Sequence, residues 1–324
     1  MKYFKTFHKG MTCNGKQYQE NTEYEENGGD ICKAGMMHFC ETPFDTLDYY
    51  PLIDVNGNFS EFAEVKPLDE VVEKDNKRAC KKIRIGAKLS FKDFIKAGVE
   101  ILIEKTKPEK ADKDTALNDN GERKVKIGST GYKAQIGSSG DGAKIGSSGD
   151  GAKIGSSGDG AKIGSSGYKA KIGSSGNWAQ IGSSGNWAQI GSSGDWAQIG
   201  SSGYKAQIGS SGYKAKIGSS GDGAQIGSSG DGAQIGSSGD WAQIGSSGDG
   251  AKIKMEGTRS IAAAIGYNCA ISGKKGDWIT LAEWKKDESN DWYPACVKSG
   301  QIDGETLLED VMYKLEDGEF VKCD

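Results

Sequence analysis

Isoleucine recurs every nine residues from Ile127 to Ile253, fifteen times without a slip. The fourteen units between read Ile-Gly-Ser-Ser-Gly-x-x-Ala-(Lys or Gln), with Thr130 the one exception, standing for a second Ser. A fixed short period of this kind is the signature of a solenoid. Nine is not a helical period, and two glycines per unit, each costing about 0.5–1 kcal/mol in a helix, exclude that option. Ala-x-Ile alternates as a strand does, with Ala and Ile on one face and Lys or Gln between them on the other. Gly-Ser-Ser-Gly is read as the corner, so one unit is a short strand and a turn.

No unit can fold alone. Burying one Ile and one Ala yields roughly 2–4 kcal/mol, whereas ordering nine residues costs roughly 1–2 kcal/mol each. Stability must come from hydrogen bonds between coils and from stacking each Ile on the Ile of the next coil. Two units per coil close a narrow core that Ile and Ala can fill; three would enclose a triangular core too wide for them. Fourteen units then make seven coils, a rod of about 34 Å at ~4.8 Å per coil.

The repeat also forces composition to be read by segment. Of 50 glycines in 324 residues, 34 fall between positions 127 and 252. The seven cysteines are scattered and odd in number, which suits reduced thiols better than a disulfide framework. A net charge of -4 supplies neither the basic field of a nucleic-acid binder nor the density of a DNA mimic, and argues against a nucleic-acid partner. No run of 18 apolar residues is present, and Met1-Lys2-Tyr3-Phe4-Lys5 lacks the apolar stretch of a signal peptide, so a soluble cytoplasmic chain is expected, with no membrane partner.

With the repeat core nearly invariant, information resides in the two turn positions and the Lys/Gln position. The turn pair is Tyr-Lys at 132, 168, 204 and 213, Asp-Gly six times, Asn-Trp at 177 and 186, and Asp-Trp at 195 and 240. With two units per coil, Trp178 and Trp196 lie on one edge, one coil apart and close enough to stack. Rows of Trp178, Trp187, Trp196, Trp241, Tyr132, Tyr168, Tyr204 and Tyr213 beside Lys205 and Lys214 form a candidate platform for sugars, bases or a protein partner. The alternative is that these rings only cover their turns. Lys144, Lys153, Lys162, Lys171, Lys216 and Lys252 hold the outward strand position and read as solvated rungs, in a tract of ten Lys against eight Asp. Gly, Asp and Ala also fall at the offsets of the calcium-binding GGxGxDxUx nonapeptide, but six of fourteen units lack the Asp, which leaves a poor site. No metal or cofactor is expected.

Residues 1–105 read as an α+β domain. Lys2 to Phe7 alternates as a strand, Asn14-Gly15 is a turn, and Pro43 to Tyr50 suits a short helix. Glu61 to Val65 and Lys82 to Ile85 read as strands. Ser90 and Asp93 open a helix whose apolar face is Phe91, Phe94, Ile95, Val99 and Leu102. Residues 106–126 form a linker or lead-in coil, and 127–253 the solenoid. Residues 254–324 form degenerate capping coils and a hairpin around Asp317-Gly318, a cap that blocks edge-to-edge polymerisation. The fold class is mainly β: a parallel β-solenoid flanked by an N-terminal α+β domain and an antiparallel β cap.

Two histidines, His8 and His38, leave little material for acid–base catalysis. Cys13, Cys32, His38 and Cys40 include no CxxC pair, so they suit structural thiols better than zinc. The segment Gly35 to Pro43 followed by Tyr49-Tyr50 weakly resembles the strand-turn-helix of ADP-ribosyltransferase-like folds, without a matched catalytic set. Taken together, Cys13-Asn14-Gly15-Lys16-Gln17-Tyr18, Met37-His38-Phe39-Cys40-Glu41-Thr42-Pro43, Tyr49-Tyr50-Pro51, the nonapeptide array, and Ser260 to Gly266 leading to Trp278 through Trp284 resemble an uncharacterised family of bacteriophage and prophage proteins. The chain departs from it inside the repeat, where that family uses Ala- and Thr-rich cores. The resemblance implies phage origin and a β-solenoid, and carries no catalytic residues; the expected location is the host cytoplasm. The expected function is non-enzymatic capture of a host protein or nucleotide-like ligand by the turn rows. A structural spacer resembling a trimeric adhesin head and an N-terminal enzyme are the alternatives; a monomer is favoured and a homo-oligomer stays open.

Overall fold

The computed structural model describes residues 2–28, 35–54, 56–107, 116–118 and 123–323. The chain divides into two compact units, Met1–Gly98 and Val99–Asp324.

The first unit is a seven-stranded antiparallel sheet in the order β4-β9-β6-β1-β5-β8-β7, made of β1 (Tyr3–Phe7), β4 (Glu23–Glu25), β5 (Met37–Cys40), β6 (Glu61–Pro67), β7 (Val72–Lys74), β8 (Lys77–Cys80) and β9 (Lys82–Leu89). Short strands β2 (Thr12–Cys13) and β3 (Lys16–Gln17) form a separate hairpin through Asn14 and Gly15, both at positive φ, the geometry that favours these two residue types. The helix expected from Pro43 to Tyr50 is a single turn, α1 (Pro43–Thr46), started by the Thr42 hydroxyl accepting the Asp45 N–H; hydrogen-bonded turns continue from it to Tyr50. Helix α2 (Phe91–Thr106) begins as expected, with Ser90 Oγ accepting the Asp93 N–H at 3.1 Å. Within this unit its apolar face stacks Phe94 on Phe62 of β6 at 3.7 Å and Phe91 on Phe59, just before β6, at 4.1 Å between ring centroids.

The second unit contains two parallel sheets joined by turns. Strand partners are eighteen residues apart: Ile136 pairs Ile154, Ile154 pairs Ile172, and on the other sheet Ile145 pairs Ile163. This register establishes two nonapeptides per coil. The solenoid has about nine turns rather than seven, because Ala116–Asn118 already pairs in parallel with Gln135–Gly137 and because the degenerate units after Ile253 keep the coil.

The corner differs from its expected place. Each strand is (Lys or Gln)-Ile-Gly-Ser, so the first Gly and first Ser of the unit belong to the strand and the turn is made by the second Gly, the two variable residues and Ala. Alternation along four residues sends Lys or Gln out, Ile in, Gly out and Ser in. The core therefore holds three side chains per unit, such as Ala143, Ile145 and Ser147, and not two. The second Gly is needed for a steric reason. A methyl on Gly194 would lie 2.0 Å from the carbonyl oxygen of Gly176 one coil below, and the same clash recurs along the array, out to Gly257 and Gly266.

The cap follows the expected plan. Trp278–Lys286 adds in parallel to Ile261–Ala264, seventeen residues away instead of eighteen, and pairs antiparallel with Trp292–Gln301. Tyr313–Glu316 adds to the other sheet at Ile271 and turns through Asp317-Gly318 into Glu319–Lys322. Ile279, Leu281, Ile302, Leu307, Tyr313 and Leu315 continue the isoleucine core into the cap. Among the described residues no helix is long and apolar enough to cross a membrane.

Candidate functional site

The turns form two ladders. In the first variable position Asp or Asn accepts, through its side-chain oxygen, the backbone N–H of the residue eighteen positions on. Asp150 accepts from Tyr168, Asn177 from Asp195 and Asp195 from Tyr213, each at 2.8 Å. Tyrosine cannot accept in this way, so Tyr132, Tyr168, Tyr204 and Tyr213 each interrupt a ladder. One carboxylate oxygen of each Asp at the calcium-like offsets is thus engaged by a backbone donor. Among the described residues no group of three or more His, Cys, Asp or Glu side chains is arranged to hold a metal.

The second variable position lies in the left-handed region in every unit, and its N–H donates to the next coil, as Trp178 does to the Asp195 carbonyl at 2.8 Å. Six units place Gly there at no steric cost. The others place Trp178, Trp187, Trp196 and Trp241 at φ of 57–59° and Lys133, Lys169, Lys205 and Lys214 at 51–56°. A side chain in that conformation costs roughly 1–2 kcal/mol. The array thus carries backbone strain at eight turns where its own neighbouring units show a strain-free residue.

The sequence candidates fall on two edges. One carries Trp178, Trp196, Tyr213 and Lys214: the two indoles stack at 5.3 Å with planes 4° apart, Tyr213 meets Trp196 edge-on at 5.8 Å, and Lys214 Nζ lies 4.8 Å from the Trp196 ring. The other carries Tyr132, Tyr168, Trp187, Tyr204, Lys205 and Trp241. There Trp187 meets Tyr204 edge-on at 6.2 Å, with Lys205 Nζ 4.9 Å from the indole. Trp241 lies farther along with Arg259 5.8 Å away, and Tyr132 is capped by its own neighbour Lys133. Trp178 and Trp241 are about half exposed, at 51% and 50%.

A second feature was not read from the sequence. On the outer face of each sheet the strand glycines form a column. In the sheet holding Lys144–Ser147, that column is covered by the second half of α2: a methyl on Gly164 would lie 2.9 Å from Ile103 Cα, and one on Gly182 would lie 3.4 Å from Val99 Cα. In the sheet holding Gln135–Ser138, a methyl on Gly155, Gly173, Gly191, Gly209, Gly227 or Gly245 would meet nothing within 4 Å. The result is an open trough of about 1510 Å³ over seven strands, bordered by the Lys153, Lys171, Gln189, Gln207, Gln225 and Gln243 row. Gln189, Gln207 and Gln225 link as an amide ladder at 3.2 and 3.1 Å. Beside the trough, Trp187, Lys169 and Lys171 enclose a hollow of about 270 Å³ with Gln189 and Gln207. An outward Gly repeated at a strand position, where Gly weakens a strand, was the available signal.

The first unit has its own cavity, about 370 Å³, where β1 and β5 pair only at Phe4 and Cys40. His8, Cys13, His38, Cys40, Tyr50 and Lys5 are among its lining residues. Lys5 is 4% exposed, donates to the His38 carbonyl at 2.9 Å and lies 5.5 and 5.6 Å from the Phe7 and Tyr18 rings. Burial, opposed by the nearby Cys13 thiol, holds its amine below the ordinary lysine range. Burial also pushes the Cys40 thiol up to about 12. Cys32, the remaining thiol of the Cys13, Cys32, His38 and Cys40 set, lies outside the described residues.

Residues 1–97 match a family described as "Domain of unknown function (DUF7666)". Nothing among curated proteins and nothing among solved structures matches the chain. The DUF7666 match covers the sheet that holds the Lys5 cavity and stops before the solenoid. The turn rows and the trough therefore belong to a part of the chain with no counterpart in that comparison.

Proposed function

We propose that this is a non-enzymatic, phage-encoded binding protein, acting in the host cytoplasm, whose solenoid seats an amphipathic helix of a host protein in the glycine trough and grips it with the adjoining turn row. One observation carries this reading: the trough repeats, on one sheet, the glycine-floored groove that α2 fills on the opposite sheet. Val99 and Leu102 sit at Gly182, Ile103 and Thr106 at Gly164, and Thr106 again at Gly146, so the helix advances one turn per strand. The match is physical, since a helical turn rises ~5.4 Å and strands are spaced ~4.8 Å apart. Seven strands span about 29 Å, room for a helix of about 19 residues with aliphatic side chains at i, i+3, i+4 and i+7. Lys153 and Lys171 at one end of the row suit acidic residues on the partner. Strained Trp187 and Lys169 beside the trough support the same reading, because strain of this kind collects at binding sites.

The chain's own helix supplies the probe. A fluorescent peptide with the sequence of residues 90–107 is expected to bind the full-length protein saturably at one site. Gly173→Ala, Gly191→Ala and Gly209→Ala combined should weaken it by about 100-fold, or ~2.7 kcal/mol, by filling the groove. Trp187→Gly, which relieves backbone strain, should weaken it by about tenfold without lowering thermal stability. Absence of saturable binding would defeat the helix reading. Binding indifferent to the alanines would mean that the peptide displaces α2 from the other sheet.

A further inference from the structure

We propose that the cavity of the first unit binds a small carbonyl compound bearing an anionic group, and that the Lys5 amine captures it as an imine. The inference stands on residues 1–97 alone and is independent of what the solenoid binds.

Lys5 is a lysine on the inward face of a central strand, between Tyr3 and Phe7, with no carboxylate within ion-pair distance among the described residues. Its polar contacts are the His38 carbonyl and the Cys13 side chain; two aromatic rings lie about a further 2–3 Å out than a hydrogen bond would reach. A buried ammonium without a counter-ion is costly, and the desolvated site favours the neutral, nucleophilic amine. The cavity is in the size range of small-molecule sites. It also supplies proton donors. Tyr50 is hydrogen-bonded to Cys13 Sγ at 2.8 Å, and burial raises its phenol well above the ordinary range, so the O–H stays protonated at neutral pH. Lys77, whose Nζ lies 4.1 Å from the Tyr49 ring centroid, lines the same cavity and provides a cation for a carboxylate or phosphate.

The step balances without an oxidant or reductant. The Lys5 nitrogen lone pair forms the new C–N bond to the carbonyl carbon while the C=O π pair moves to oxygen, which takes a proton. The two amine hydrogens are then given up, one by relay to that oxygen and one to replace the proton supplied by Tyr50. The oxygen leaves as water, and C=N remains. Amine and carbonyl compound become imine and water.

Glyoxylate, an aldehyde carrying a carboxylate, is the probe. The full-length protein is incubated with glyoxylate and cyanoborohydride at pH 7, and adducts are located by peptide mass spectrometry. Lys5 is expected to be labelled at least about tenfold faster than any exposed lysine, because burial keeps its amine below the ordinary lysine range beside the cavity. Unfolding in urea should erase that preference. Lys77→Ala should slow labelling by glyoxylate and leave labelling by acetaldehyde, which has no anionic group, unchanged. The proposal is overturned if Lys5 stays unlabelled while exposed lysines react, or if its rate is the same folded and unfolded. An equal effect of Lys77→Ala on both aldehydes would overturn the anionic part of the assignment.

Discussion

Gly194→Ala is expected to destabilise the solenoid by at least about 3 kcal/mol, whereas Gly191→Ala, the same chemical change three residues earlier, is expected to alter stability by less than about 1 kcal/mol. The difference comes from what stands opposite. At Gly194 the new methyl would lie 2.0 Å from the Gly176 oxygen and 2.5 Å from its carbonyl carbon. Both are backbone atoms held in the inter-coil ladder, so relief requires two coils to part. That would break the neighbouring bonds, among them Ser193 N to Ser174 O at 3.0 Å and Trp178 N to Asp195 O at 2.8 Å. At Gly191 nothing lies within 4 Å, and Ala loses less backbone entropy on entering a strand. Urea unfolding followed by circular dichroism compares the two directly. Indistinguishable midpoints would show that the coils can shift to admit a Cβ.

Removing residues 273–324 is expected to convert the chain to a self-associating form. The deletion takes away Ile279, Leu281, Ile302, Leu307, Tyr313 and Leu315, all buried against the last coil, at ~1.5–3 kcal/mol for each large apolar side chain. It uncovers Ala262 and Ile271, whose partners Ile279 and Tyr313 are removed, and leaves both parallel sheets with unpaired strands at one end. A stack of in-register strands with an open edge is a template for another chain. The intact cap ends instead in Trp292–Gln301, which carries Pro294 and a bulge opposite Glu283 and Trp284, and in Glu319–Lys322, short and charged. Sedimentation velocity should show large, concentration-dependent species for the truncated chain. A monodisperse product would mean that the degenerate coils from Gly257 onward close the rod by themselves.

Much of this architecture was legible residue by residue. Ile127 to Ile253 at a strict period of nine required strands stacked in register, and the small volume of Ile and Ala selected two units per coil, as the pairing of Ile136 with Ile154 shows. The same arithmetic placed Trp178 above Trp196. The corner was misplaced because Gly-Ser-Ser-Gly has turn composition throughout. Only the pairing of Gly146 with Gly164 and of Ser147 with Ser165 shows that half of it is strand. Lys5 carries no signal in the sequence, because a lysine in an alternating strand is ordinarily on the solvent side. Tyr3, Lys5 and Phe7 share a face, however, and that face is inward.

The nonapeptide by itself determined the coil and its two-unit circumference, because both follow from a period that every unit repeats and from the small volume of its core side chains. Tertiary structure alone decided which copies of an identical surface are used. Gly164 and Gly173 have the same neighbours in sequence, yet one lies under Ile103 and the other under open space. No local rule separates them: a single helix can cover only one face of a two-faced rod.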